Sequence, residues 1–111
     1  MRPERLKILG KPFQVTYGNS APLEEGDMGD CNTEGQTLTI RDGQPLENEQ
    51  DCVLHEAIHA LSDYMEIKLK EHQVTKLATG LLAMLKDNPK LAAYLRRKNN
   101  APPKRRQQLG Q

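Results

Sequence analysis

Tryptophan is absent from this chain of 111 residues, phenylalanine occurs once, and aromatic residues together make up 4% of it. A core built on large rings is therefore excluded, and the packing must come from Leu, Ile, Val and Ala. Cysteine is almost missing: Cys31 and Cys52 are the only two, which argues against a disulfide framework and makes a cytoplasmic location the expectation. No apolar run approaches the length of a bilayer span, so no membrane attachment of that kind is expected. The first twenty residues also lack a signal-peptide core. Neither sign of charge prevails, with 16 Lys and Arg against 15 Asp and Glu for a net charge of +1. That balance argues against wholesale electrostatic attachment to nucleic acid or to a membrane. A chain of this length is one domain, burying about 60–70% of its extended-chain surface.

What is present is a long amphipathic run from about Leu46 to Met65, with His55-Glu56-Ala57-Ile58-His59 inside it. The pattern is H-E-x-x-H, and its meaning is geometric. A helix turns about 100° per residue, so His55 and His59 stand one above the other, about 6 Å apart along the axis. Two imidazoles so placed can both reach one tetrahedral Zn²⁺ at about 2.0–2.1 Å. Glu56 follows the first histidine, where its carboxylate can accept a proton from water in the site. Ile58, Leu61 and Met65 fall within roughly 40° of Leu54 and form with it an apolar stripe, which predicts a core face. His55 and His59 fall about 100–140° away, with Cys52, Asp63 and Glu66 on the same side.

In chain order, the first half reads as short strands. Arg5–Leu9 and Pro12–Tyr17 flank Gly10-Lys11 as a hairpin, and Gly18–Gly26 is a loop. Asp27–Asn32 and Gln36–Arg41 flank Thr33-Glu34-Gly35 as a second hairpin, with Thr37, Thr39 and Arg41 alternating with Leu38 and Ile40. Asp42-Gly43-Gln44-Pro45 turns the chain into the motif helix. After a connection at Ile67–Lys70, a second helix is expected over Glu71–Lys86, ended by Asn88-Pro89. A short third helix is expected over Lys90–Lys98. The fold class is thus α+β: an antiparallel or mixed sheet of three to four strands packed on the motif helix and a second helix, in one domain over residues 1–98. Residues 99–111, with Lys104-Arg105-Arg106, have nothing to bury and read as a disordered basic tail.

A catalytic zinc takes three side chains and keeps one open position. Glu66 lies about 10 Å along the axis from His59 and cannot close on the same ion while the helix continues. Glu71, after a tight reversal, can enter the coordination sphere from the second helix; its neighbour His72 is the alternative third ligand. As ordinary residues, Glu71 would be an acid favourable to a helix N-terminus and His72 a solvated histidine. Asp63, one turn beyond His59, is either an outer acceptor that orients a ligand histidine or a plain surface aspartate. Cys52, with Cys31 nearby, raises a Cys/His structural zinc instead, against which stands the lack of any C-x-x-C pair.

His55-Glu56-Ala57-Ile58-His59 followed by Ala60-Leu61-Ser62-Asp63 resembles the active-site helix of the zincin metallopeptidases, and the H-E-x-x-H-A-x-x-D form is similar to thermolysin-like members. The spacing departs from theirs, since the thermolysin-type glutamate would fall near Thr79. The shorter interval ending in Glu71-His72-Gln73-Val74-Thr75-Lys76-Leu77-Ala78 is more similar to the small ImmA/IrrE-type, minigluzincin-like group and to compact phage and prophage HExxH proteins. Leu81–Leu91, with Asp87-Asn88-Pro89, also resembles these. The resemblance covers roughly residues 27–95, and its specific part is the HExxH stretch. It implies a three-stranded sheet and motif helix, a second helix supplying a glutamate, and zinc-dependent peptide hydrolysis. By that resemblance Glu71 is carried over as ligand and Glu56 as base.

On this reading the partner is a peptide or protein substrate, and the strand Gln36–Arg41, if it is the sheet edge beside the motif helix, could pair with it through backbone hydrogen bonds. Tyr94 and His72 are candidate oxyanion stabilisers. A second reading takes Arg96, Arg97, Lys98, Lys104, Arg105 and Arg106 as a nucleic-acid or partner-binding cluster on a phage-type accessory protein, its zinc structural or vestigial. The oligomeric state is not encoded in any feature found here.

Overall fold

The computed structural model describes residues 1–99, so the basic residues Lys104, Arg105 and Arg106 and the rest of the expected disordered tail from residue 100 lie outside the described residues. Four strands and three helices follow one another: β1 (Arg5–Ile8), β2 (Lys11–Gly18), β3 (Gly29–Asn32), β4 (Thr37–Arg41), α1 (Leu46–Met65), α2 (Glu71–Asp87) and α3 (Pro89–Leu95). The class is α+β, with a mixed four-stranded sheet in the order β1-β2-β4-β3. β1 and β2 form an antiparallel hairpin whose two-residue turn is Leu9-Gly10, both with positive φ (52° and 80°), one residue earlier than expected. β3 and β4 form the second antiparallel hairpin, and β2 and β4 run parallel.

β4 is therefore an inner strand, so the condition under which Gln36–Arg41 would pair with a substrate is not met. Its residues explain the placement: Leu38 and Ile40 are fully buried on the face toward α1, and Thr39 is buried on the other face, within 3.5 Å of Thr16 Oγ1. A strand buried on both faces gains most between two neighbours. The edge on this side of the sheet is β3.

α1 has two covered sides. Cys52 and Ala60 join Phe13, Val15, Leu38 and Ile40 in the cluster between helix and sheet, with Val53, Ala57 and Tyr64 packed against it. On the opposite side Ile58 meets Val74 and Ala78 of α2, with Leu54 and Leu69 at the margin. The expected stripe is thus divided: Leu54 and Ile58 face α2, Leu61 packs against the sheet-side cluster, and Met65 at its end is 55% exposed. Glu49, buried at the sheet side near the start of α1, is neutralised by Arg2, whose Nη1 lies 2.9 Å from Glu49 Oε1 and 3.0 Å from Asp42 Oδ1. No helix among the described residues is long and apolar enough to cross a membrane.

Candidate functional site

Between its two covered sides, α1 leaves a flank that carries His55 and His59. Their rings stack edge to face at 4.8 Å between centroids, as expected for side chains four residues apart on one helix. What brings in the third group is the end of α1. Glu66 adopts the left-handed conformation (φ 57°), its N–H bonding Asp63 O and the next N–H, of Ile67, bonding Ser62 O. This double closure is a Schellman-type stop. Lys68 takes a second positive φ of 53°, and Leu69 N–H donates to the buried Ser62 Oγ at 2.8 Å. The reversal is thereby tied to the helix it leaves. α2 then starts at once, with the Gln73 side chain accepting from Lys70 N–H at 2.8 Å, and Val74 and Ala78 lock it against Ile58.

Glu71, the first residue of α2, lands on both histidines. Its Oε2 is 3.0 Å from His55 Nε2 and its Oε1 is 2.8 Å from His59 Nε2. The ligand atoms of the three residues all lie within 4.8 Å of one another. Donors around one tetrahedral zinc-sized ion stand about 3.3 Å apart, given bonds of about 2.0–2.1 Å. The group could hold a metal ion, and its two imidazoles and one carboxylate match the donor set of a three-ligand site with a free position. His72, next along α2, points elsewhere: it is exposed and lines neither lobe of the cleft described below.

Glu56 lies on the sheet side of the same flank, 7% exposed, against the first residue of β3. The contact is close. A methyl group on Gly29 would stand 2.7 Å from Cys52 Sγ and 2.8 Å from Glu56 Oε2. Burial, together with the charges of Asp30, Glu71 and Asp27, pushes the Glu56 carboxyl up to about 7. A carboxylate in that range is suited to taking and giving protons near neutral pH. Burial also holds the Cys31 and Cys52 thiols up at about 12, with Glu56 adding to it, so both stay protonated. The Cys52 thiol donates to Met28 O at 3.0 Å. The group that could hold an ion is His/His/Glu, and among the described residues neither cysteine belongs to it.

The site opens into a cleft of two adjoining lobes. The larger, about 630 Å³, extends past His59 to Asp63, Glu66 and Lys68; the smaller, about 460 Å³, runs toward Asn48, Asp51 and Thr75. Asp27, Gly29, His55, Glu56 and Glu71 line both, so the His/His/Glu group sits where they meet, beside β3. Asp63 accepts a hydrogen bond from Thr33 Oγ1, and Tyr64 Oη donates to Thr33 O at 3.0 Å. These two bonds pin the β3–β4 turn to α1. Tyr94 is 64% exposed on α3, and it too lines neither lobe.

The reading of the motif anticipated His55 and His59 with either Glu71 or His72 as the third member, and the structure brings Glu71 to them. That reading missed Gly29, Asp27 and Asp30, for which the sequence offers no local sign. Compared with protein-family models, with curated proteins and with solved structures, the chain finds no match.

Proposed function

We propose that this protein is a zinc-dependent peptide hydrolase in which His55, His59 and Glu71 hold the ion and Glu56 is the general base. The observation that carries the reading is the Glu71 carboxylate, set across both Nε2 atoms of the HExxH histidines by the reversal after α1. Zinc is favoured among divalent ions by a set of two imidazoles and one carboxylate, which suits its borderline character and tetrahedral habit. The H-E-x-x-H pattern of residues 55–59 is the sequence feature that points the same way.

Held by His55, His59 and Glu71, a zinc ion would supply Lewis acidity, the chemistry that activates a peptide carbonyl and makes water in the site more acidic. Glu56 takes the proton of the water whose oxygen attacks the carbonyl carbon. It then hands that proton to the leaving nitrogen as the carbon–nitrogen bond breaks, so acid and amine leave with atoms balanced. β3 has β4 as its sheet neighbour on one side, and its other edge can pair with an extended substrate through backbone hydrogen bonds. Gly29 keeps that strand close to Glu56, so a substrate paired with its free edge would run past the base.

The test is hydrolysis of a mixed peptide library by the full chain with zinc, compared with the same sample after chelation. Cleavage that depends on zinc and falls at least about 100-fold in Glu56→Gln, while the zinc content stays at one per chain, supports the proposal. Cleavage that persists in Glu56→Gln, or no zinc-dependent cleavage at all, contradicts it.

A further inference from the structure

The charge along the cleft is one-sided beyond what an ion needs. A divalent cation at His55, His59 and Glu71 would be met by the Glu71 carboxylate and leave Glu56 without a partner of its own. Asp27, Asp30, Asp63 and Glu66 then remain in the larger lobe, opposed by Lys68, while the smaller lobe adds Asp51 and no cation. Asp63 and Asp51 accept from the hydroxyls of Thr33 and Thr79, neutral donors that leave the negative charge in place. These extra carboxylates do not converge on a second ion, since His55, His59 and Glu71 are the group whose ligand atoms come together among the described residues. They are strung along the cleft on either side of the reacting centre, as they would be for a ligand that extends through it.

A second observation points to a ligand at the same place. Glu56 is 7% exposed and lines both lobes, and among the described residues no hydrogen-bond donor meets its carboxylate. Such a group is costly to bury without a partner, and a positively charged ligand lying over it would relieve that cost. A cleft of one sign with low-dielectric walls also concentrates ligands of the opposite sign.

We infer that the cleft selects extended peptides with lysine or arginine beside the bond to be cut, the cation met by Asp27 and Asp30 on the strand side and by Glu66 on the helix side. The inference rests on the peptide-hydrolase reading and adds a substrate class to it. A neutral side chain of equal length gains the same apolar contact and forgoes the ion pairs, so charge alone makes the difference.

Two peptides identical except for lysine or norleucine flanking one scissile bond test this on the full chain loaded with zinc. The lysine peptide is expected to show about tenfold higher kcat/KM at low ionic strength, the preference shrinking as salt is raised to screen partly exposed pairs. Binding is read separately, by fluorescence anisotropy on the full chain with zinc withheld by a chelator, which stops cleavage and keeps Glu56, and there the lysine peptide should bind about tenfold more tightly. In Asp27→Asn/Asp30→Asn the lysine-to-norleucine ratio should fall toward one, and Glu66→Gln should lower it further. Equal binding and equal cleavage of the two peptides would overturn the inference while leaving the hydrolase reading intact. Selective, salt-sensitive binding of the lysine peptide with cleavage of neither would sustain the charge selection and sink the hydrolase reading instead.

Discussion

Gly29 and Glu56 approach so closely that a single added methyl group on the glycine would stand 2.8 Å from the carboxylate oxygen. The strand that borders the cleft and the acid proposed as its base are thus held in register by a missing side chain. Gly29→Ala forces either β3 or the Glu56 side chain to move. We expect a loss of stability of about 1–3 kcal/mol, which in a chain of this size lowers Tm by several degrees. Metal affinity should change little, because His55, His59 and Glu71 lie outside the contact. Calorimetry and zinc titration of the variant check both halves, and an unchanged Tm would show that β3 packs less tightly than described.

The raised Glu56 carboxyl makes the metal-free protein sensitive to pH in a defined direction. Its ordinary value is 4.5 and in the fold it is pushed to about 7, first by burial and then by Asp30, Glu71 and Asp27. Below about pH 4.5 the group is protonated whether the chain is folded or not and costs nothing. Between there and about 7 the unfolded chain releases its proton while the folded one retains it, so stability falls as pH rises and then levels off. Glu56→Gln should remove that component and be more stable than wild type at pH 8 by on the order of 2–3 kcal/mol with chelator present. Urea unfolding at pH 4.5, 6 and 8 measures it. Parallel pH dependences for the two proteins would contradict the burial of this group.

Asp63 and Thr33 allow a choice between two roles for the acid. In the structure the Asp63 carboxylate takes the Thr33 hydroxyl, which fastens the β3–β4 turn to α1. Asp63→Ala should therefore cost about 0.5–1.5 kcal/mol and speed amide exchange over residues 32–36, with zinc affinity kept within a few-fold. A loss of affinity of 10–100-fold would instead mark Asp63 as a residue that orients a ligand histidine.

Much of the candidate site was readable before any coordinates because its logic is local. Four residues of helix fix the spacing of His55 and His59, and a short reversal fixes where Glu71 must go. The hairpins were equally legible from Leu38 and Ile40 alternating with threonines, and from Gly10 at a turn. The rest depends on contacts between residues far apart in sequence. The stripe of Leu54 and Ile58 was taken as the core face, yet α1 is covered on two sides, and nothing in its own pattern says that Cys52, Glu56 and Ala60 meet the sheet. The inner position of β4 follows from its parallel pairing with β2 across the segment 19–36, a choice of neighbour that strand periodicity does not encode. That β3 and not β4 is the free edge beside the cleft is a consequence of that pairing, and so is the closeness of Gly29 to Glu56.

X-ray absorption at the zinc edge, on the full chain loaded with one equivalent, tests the central claim most directly. The account predicts four nitrogen or oxygen neighbours at about 2.0–2.1 Å, two of them imidazole, with one imidazole lost in His55→Ala or His59→Ala and stoichiometric tight binding lost in Glu71→Ala. Sulfur neighbours at about 2.3 Å, or a zinc environment indifferent to Glu71, would contradict it.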